Sequence, residues 1–584
     1  MSLSQPSGSA WTQSYGYDIT RRLTDTASPA GGFGYLYPSA NFQLPSAILL
    51  PNSAYITNNY DSVARELSTK LINSSSSILD AESYAYNQGN QRTSETNTAG
   101  DYRSYTYDSI NELKTAIGKE AGGTTNRWHE QHGYAYDAAQ NLNYRTNNAL
   151  IQNFTVNNLN ELSNVTRSGT FTVAGTTTSP ATNVTVNTTN AFLYADTTFA
   201  ATNFTLANGN NTFTAIAKDA YGRKDTNSIT VNLPATVNYG YDLNGNMLTN
   251  NLQVLDYDDE NELIRVTVTN QFKKEFVYDG MRRLRIRREF GWISSAWTQT
   301  NEIHYVYDGN VIIQLRDTNN VPTLTFTRGS DLSGSLQRAG GIGGLLAMTE
   351  SSGANSYYHS DGNGNITMLI NSYQLPVGKY GYDSFGNPLW ESGAKAFVNP
   401  FWFSSQLYDP DAGFLQYLYR IYISELDRWL NQDPIQEIGG INLYTYVVNN
   451  PINLIDPDGL TWGSNWNFFW SWALGRGDNN RYYPPGSTES EEMSNSPPGQ
   501  RLRDNFYKNG CKGFNGEQLG QYGTVRAYWE TILEPGAFGW GSTAAQVGGF
   551  AGASATDNGN GTVTFTIPND AGTHSFFLHL LTSA

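Results

Sequence analysis

The chain has 584 residues, a formal net charge of −16 and a pI of about 4.8; 15% of its residues are charged and 13% are aromatic. That acidity disfavours nucleic-acid binding by the chain as a whole, because phosphates call for a basic face. A charged fraction below the usual quarter or so, with Asn, Thr, Ser, Gly and Tyr filling the gap, predicts many short strands and turns and few amphipathic helices. Cys511 is the single cysteine, so no intrachain disulfide forms and no oxidising compartment is implied. Residues 1–17 are polar and lack the apolar centre of a signal peptide. No apolar run approaches the roughly 18 residues of a membrane span.

The first element is a repeat: Tyr-Asp, then a turn, then an apolar pair. It starts in mid-pattern at Tyr17-Asp18, as expected for a fragment of something longer or for a chain with an altered start, and recurs at Tyr60-Asp61, Tyr107-Asp108, Tyr136-Asp137, Tyr241-Asp242, Tyr257-Asp258, Tyr278-Asp279, Tyr307-Asp308 and Tyr382-Asp383. The tyrosine ends a strand of alternating polarity. The Asp and the Asn or Gly that follow tolerate left-handed backbone angles and close a hairpin, and the next strand opens on Leu or Val. Hairpins repeated this way add edge to edge into an antiparallel strip. Twist curls the strip, and closure hides its edges. These units resemble the YD repeats of RHS proteins. The fold expected is mainly β: a strip of YD hairpins spiralling into a hollow shell. The alternating basic run Met281–Arg288 reads as a strand with a charged face.

Residues 166–235 break the repeat with six or so short strands, among them Thr170–Val173, Asn203–Leu206 and Asn211–Ala217. The segment is similar to small Ig-like sandwiches and reads as a domain inserted in a YD hairpin, outside the wall. The expected divisions are thus 1–165 and 236–395 for the two parts of the strip, 166–235 for the insert, 396–460 for a core segment and 461–584 for a small mixed C-terminal domain.

The core segment carries the densest motif. It reads Arg428, then Asp433-Pro434, Gly439-Gly440-Ile441-Asn442-Leu443-Tyr444-Thr445-Tyr446, Asn450-Pro451 and Asp456-Pro457-Asp458-Gly459-Leu460, the two Asp-Pro steps lying 456 − 433 = 23 positions apart. A lone Asp-Pro is a turn starter, and Asp409-Pro410 is given no more than that. The whole stretch resembles the RHS-repeat-associated core. The resemblance implies an intramolecular aspartyl protease in which Asp433 and Asp456 are catalytic, Arg428 takes the motif's arginine position, and the chain is cut between Leu460 and Thr461. Two carboxylates held close cannot both ionise, so one activates water while the other donates a proton. The sequence departs from the family upstream, at Arg420-Ile421-Tyr422-Ile423 and at Asp427, which is placed to draw Arg428 away.

After Leu460 come an aromatic-dense segment, a Pro-rich polar linker and a hairpin expected from Gly561–Ile567 and Ser575–Leu580. No nuclease, deaminase or ADP-ribosylation signature is visible there. Asp361–Asn365 reads as a hairpin turn rather than a calcium loop, and neither the scattered histidines nor any other set predicts a metal or cofactor. The resemblance implies a shell that carries its own C-terminal segment as cargo and releases it in bacterial competition. Its partners would be an immunity protein or a secretion-system component, and its location secreted or cell-surface. The alternative is a structural or adhesive cell-surface YD-repeat protein with an inactive core.

Overall fold

Every Tyr-Asp step except Tyr307-Asp308, where Asp308 pairs directly with Val311, closes its hairpin by the same kind of bonds. At Asp137 the carboxylate Oδ1 accepts the amides of Ala139 (2.8 Å) and Asn141 (2.9 Å). The backbone closes the same loop through Asp137 N to Asn141 O and Gln140 N to Asp137 O. The third residue after the Asp takes the left-handed conformation: Arg21, Ala64, Asn111, Gln140, Asn261 and Arg282 all have φ between 61° and 73°. Only some of these are Asn or Gly, so the aspartate bonds hold ordinary residues in a conformation that costs them about 1 kcal/mol. At the tyrosine the register slips by one residue, as between Ala135 and Tyr136.

At several of these steps a second bond joins the unit to the one before it. The hydroxyls of Tyr107, Tyr136, Tyr278 and Tyr382 donate to the carbonyls of Arg92, Leu113, Leu263 and Ile366, at 2.6–3.0 Å. Each acceptor is the first residue of the strand that follows the preceding turn.

The computed structural model describes residues 2–3, 10–39, 42–177, 180–460, 554–557 and 563–566. The chain divides into two units, Met1–Thr461 and Trp462–Ala584. Among the described residues the regular structure is strand and short 3-10 turns. Two antiparallel meanders dominate the first unit. One has 15 strands, from Ser14–Tyr17 to Leu162–Gly169 with Thr236–Asn238 as its last member; the other has 14, from Gly240–Tyr241 to Pro388–Ser392. In both, sequence neighbours are sheet neighbours, as expected of hairpins added in series. A third sheet of four short strands, Leu407–Asp409, Phe414–Gln416, Ile421–Ile423 and Arg428–Trp429, belongs to the core segment.

The core segment is held by both meanders. Arg145 of the first pairs with Asp427 at 2.9 Å, and Glu112 accepts the Asn449 amide at 2.8 Å. From the second, Met247 N donates to Leu430 O, and Phe385 O accepts the Tyr422 hydroxyl. One hydrophobic cluster runs through all three, with Tyr134, Tyr305, Phe326, Trp429 and Leu430 among its members. Asp409 is fixed by Lys274 and, at 3.5 Å, by Arg287. The basic run is matched by acids in the same way, Arg283 by Asp279 and Arg288 by Glu302, each at 2.8 Å. The Asp361 loop is one more Tyr-Asp-type turn, its Oδ1 accepting the amides of Asn363 and Asn365.

The segment between Leu162–Gly169 and Thr236–Asn238 forms one sheet of three strands and one of four, around Val184, Val186, Phe199, Ala201 and Phe213. It is docked rather than free. Arg127, on the strand Asn126–Tyr136, is 1% exposed and reaches Asp196 of the insert at 2.6 Å, as well as Glu120 and Glu130 of its own sheet. The Tyr194 hydroxyl accepts the Trp128 amide at 2.8 Å.

The second unit is described only at Ser554–Asp557 and Val563–Thr566, which pair with each other. Val563–Thr566 therefore has a partner other than the one expected at 575–580, which lies outside the described residues, as do Thr461, Cys511, His574 and His579.

Two outcomes follow from this architecture. Tyr136→Phe should destabilise the first unit by about 1 kcal/mol, and Asp137→Ala by about 2 kcal/mol, because a charged acceptor of two amides is lost. Calorimetric melting of the two variants measures the order. Replacing 168–234 by Asn-Gly should leave a soluble first unit with unchanged β-type circular dichroism, since Thr166 and Thr236 are already paired across the junction. Insoluble product would show that the docked insert is required for folding.

Candidate active site

Asp433 and Asp456 each precede a proline, which holds the backbone before it extended and fixes the direction in which the carboxylate leaves. Both are buried, at 2% and 1% exposed, and they converge on one guanidinium. It belongs to Arg420, also buried, whose Nη2 lies 2.8 Å from Asp433 Oδ2 and 3.7 Å from Asp456 Oδ2. Arg420 is itself tightly positioned. Its Nε donates to the Gly459 carbonyl and its Nη1 to the Leu443 carbonyl, and its plane lies 4.2 Å from the Trp429 ring. A planar donor fork suits this task of holding two carboxylates and two carbonyls at once.

Asp456 also grips the segment that follows it. Its Oδ1 accepts the amides of Asp458, Gly459 and Leu460 at 3.3, 2.8 and 3.1 Å. Its Oδ2 is buried without a hydrogen bond, facing Arg420. Gly459 has φ +88°, and a Cβ there would stand 3.1 Å from Arg420 N and from Tyr417 Cβ. The turn therefore needs glycine for both conformation and space. Asp433 is set by its own turn, Oδ1 accepting the Ile435 amide at 3.0 Å.

Burial sets the protonation of the site. It pushes Asp456 up to about 6, with Arg420 opposing and the Asp433 charge adding to the rise. Burial and then the Asp456 charge push Asp458 up to about 8. Desolvation lowers Arg420 from the ordinary arginine value, against the pull of the surrounding carboxylates. The site thus holds three acids around one cation, and at neutral pH it retains on Asp458 a proton that an exposed aspartate would have lost.

Arg428 sits elsewhere. Its Nη2 donates to the Asn160 carbonyl at 2.6 Å and its guanidinium stacks 4.7 Å from the Tyr444 ring. Asp427, expected to draw Arg428 away, pairs with Arg145 instead. The resemblance pointed to Arg428 because that residue takes the motif's arginine position. Arg420 stood in the departing Arg-Ile-Tyr-Ile stretch, and its position on the pair depends on the return of the chain between Ile421–Ile423 and Arg428–Trp429. Asp458 is half-buried with its Oδ1 enclosed, and nothing in the local sequence between Pro457 and Gly459 signals its place beside Arg420. Leu460 is described, with its amide on Asp456; Thr461 lies outside the described residues.

A pH effect on stability follows. An aspartate whose folded value is raised favours the fold in its protonated form, so the contribution of Asp456 and Asp458 is fully present below the ordinary 3.8 and is lost as pH rises through about 6 and about 8. Melting temperature should fall from pH 5 to pH 9. Asp458→Asn should flatten the upper part of that fall, and equal slopes in wild type and variant would contradict the assignment.

Known proteins are similar to parts of the chain. The Teneurin YD-shell family matches residues 206–452. The tRNA3(Ser)-specific nuclease WapA of Bacillus spizizenii is 28% identical over 228 residues, 38% of this chain and 9% of that protein. Toxin subunit YenC2 of Yersinia entomophaga is 46% identical over 49 residues, 8% of this chain and 5% of that one. The chain thus spans less than a tenth of the length of these two relatives. Among solved structures, TcdB2-TccC3 aligns over 78% of this chain and 22% of its own, at 17% identity and a TM-score of 0.37. The matched segment is thus similar to a Teneurin YD shell, and Tyr-Asp turns of the same kind precede it in the chain, at Asp18, Asp61, Asp108 and Asp137.

Proposed function

We propose that this chain is the shell part of a toxin-type protein, that it carries the segment after Leu460 as an effector, and that it cuts itself once between Leu460 and Thr461. The observation that carries the reading is the double use of Asp456. One oxygen holds three successive amides up to Leu460, and the other faces Asp433 across the Arg420 guanidinium. The segment to be cut is bound by the acid that would cut it.

In the reaction a water attacks the Leu460 carbonyl carbon. Asp433 takes the water's proton, Arg420 steadies the negative charge shared by the carboxylates, and protonated Asp456 supplies the proton that the Thr461 nitrogen needs as the C–N bond breaks. The products are a Leu460 carboxylate and a free Thr461 amine, with no other co-reactant. The value of about 6 for Asp456 suits a group that must hold and give a proton near neutrality. Tethering makes the step unimolecular, so a single turnover suffices. The shell's relatives in toxins and toxin subunits support delivery outside the producing cell, with toxin-complex components or an immunity protein as partners and competition between bacteria as the setting. In this reading the insert is an Ig-like module on the shell.

Denaturing gels and mass spectrometry test it. Wild type should give a C-terminal fragment beginning at Thr461, while Asp433→Asn and Asp456→Asn should each stay whole at 64.5 kDa. Arg420→Lys should slow cleavage by about 10²–10³-fold, the order seen when one preorganised charge-stabilising donor is lost, whereas Arg428→Lys should leave the rate near wild type. A Thr461 fragment from both asparagine variants would remove the aspartyl assignment. A wild type that stays whole while well folded would favour the structural, adhesive alternative.

A further inference from the structure

Away from the core segment, three groups that can ligate a metal meet between the two meanders. Asp80 and Glu82 lie two residues apart on the strand Ile78–Tyr86, so they share a face. His359 lies on Asn355–Ser360, in the other sheet. One ligand atom from each falls within 4.8 Å of the other two. His359 Nδ1 is 3.0 Å from Asp80 Oδ2 and 3.9 Å from Glu82 Oε2. Glu82 is 4% exposed and its Oε2 has no hydrogen-bond partner.

We propose that Asp80, Glu82 and His359 bind one divalent transition-metal ion, zinc first among them, which ties the first sheet to the second. The surroundings are those of a ligand set. His359 Nε2 meets Thr69 Oγ1 at 3.1 Å, so the ring can donate there and present Nδ1 as a bare lone pair to the two carboxylates. Thr367 Oγ1 donates to Asp80 Oδ2 at 2.7 Å and turns it toward the same point. His359 Nδ1 stands within hydrogen-bond distance of Asp80 Oδ2, at 3.0 Å; in the tautomer in which Nε2 donates to Thr69, the Nδ1 lone pair and the two carboxylate oxygens repel one another unless a positive charge lies between. One imidazole and two carboxylates match the donors of zinc sites. The field has the right sign as well: burial, then the charges of Asp80, Asp361, Glu95 and Glu66, hold Glu82 well above the usual carboxylate range. The competing state is metal-free, with a proton on Nδ1 and another on Glu82.

The test uses the full chain after dialysis against EDTA, with zinc as the stabilising probe and cobalt(II) as the optical one. Wild type should take up one equivalent with visible d–d absorption, and zinc should raise its melting temperature. Glu82→Gln and His359→Gln should lose both responses, and Thr69→Val should bind about tenfold more weakly, as expected for loss of an orienting contact. Asp456→Asn should bind as wild type does, which separates this site from the core. Far-UV circular dichroism certifies each variant. If Glu82→Gln does not fold, Asp80→Asn and Thr69→Val carry the comparison. No uptake by folded wild type in a large excess of zinc would overturn the proposal. Equal responses in wild type and the folded variants, placing the metal elsewhere in the chain, would overturn it too.

Discussion

The first unit rests on the side-chain oxygen that closes its repeat turns, an aspartate at the Tyr-Asp steps and an asparagine at turns such as those of Asn73 and Asn371. A meander of 15 strands and another of 14 expose many turns, and each turn must satisfy its own backbone amides. The Tyr-Asp step does this locally, with one carboxylate oxygen accepting the amides two and four residues on, as Asp18, Asp108 and Asp258 do. Because the side chain holds the loop, the left-handed position accepts Arg, Ala or Gln. At Tyr107, Tyr136, Tyr278 and Tyr382 the tyrosine before it then bonds a carbonyl of the previous unit. Turn closure and unit-to-unit register are thus encoded in two adjacent residues, so the repeat tolerates irregular spacing: the strands between turns vary from 2 to 13 residues without disturbing the pattern.

That regularity makes the irregular parts legible. Where the chain leaves the meander it does so to bring polar groups into the interior, and these are paired across large sequence distances. Arg145 meets Asp427, Lys274 meets Asp409, and Arg127 meets Asp196. Buried pairs of this kind contribute little net stability against well-packed apolar groups, yet removing one partner is costly. Their effect is to specify position. Asp427 beside Arg428 looked in sequence like a local pair, and in the fold it is the contact that sets the core segment on the first sheet.

How much the sequence revealed depended on how local each feature is. The Tyr-Asp turns, the antiparallel meander and the two Asp-Pro steps are short-range patterns, and the residues themselves carry the reason. The choice between Arg420 and Arg428 was not legible. Each arginine precedes an apolar, aromatic-containing strand, and only the antiparallel pairing of Tyr422 with Trp429 decides which guanidinium reaches Asp433. The Asp80, Glu82 and His359 cluster was less legible still, since 359 − 80 = 279 positions separate its ends. The docking of the insert through Arg127 was hidden because the segment's composition speaks of its own core, not of its neighbour.

The same long-range pairing bears on when the proposed cut takes place. The segment leading to Leu460 is tied to both meanders before it reaches the carboxylates. Asn453 accepts the Arg92 amide at 2.7 Å, and Asn363 donates to the Pro451 carbonyl at 2.8 Å. Gly340, at φ +62°, lies where a Cβ would collide with the Pro457 carbonyl. Arg92 and Asn363 come from opposite sheets, so Asp456 reaches Arg420 only when both sheets are in place. Arg420, in turn, is fixed by carbonyls at Leu443 and Gly459 that exist in this arrangement only in the folded core. An unfolded or half-built chain has the two aspartates 23 positions apart and solvated, each with an ordinary carboxylate's behaviour. The raised value of Asp456 is created by burial, and with it the acid the reaction needs. Cleavage in this scheme is therefore a consequence of completed folding, and the chain stays whole until the shell that would carry its C-terminal segment has been built.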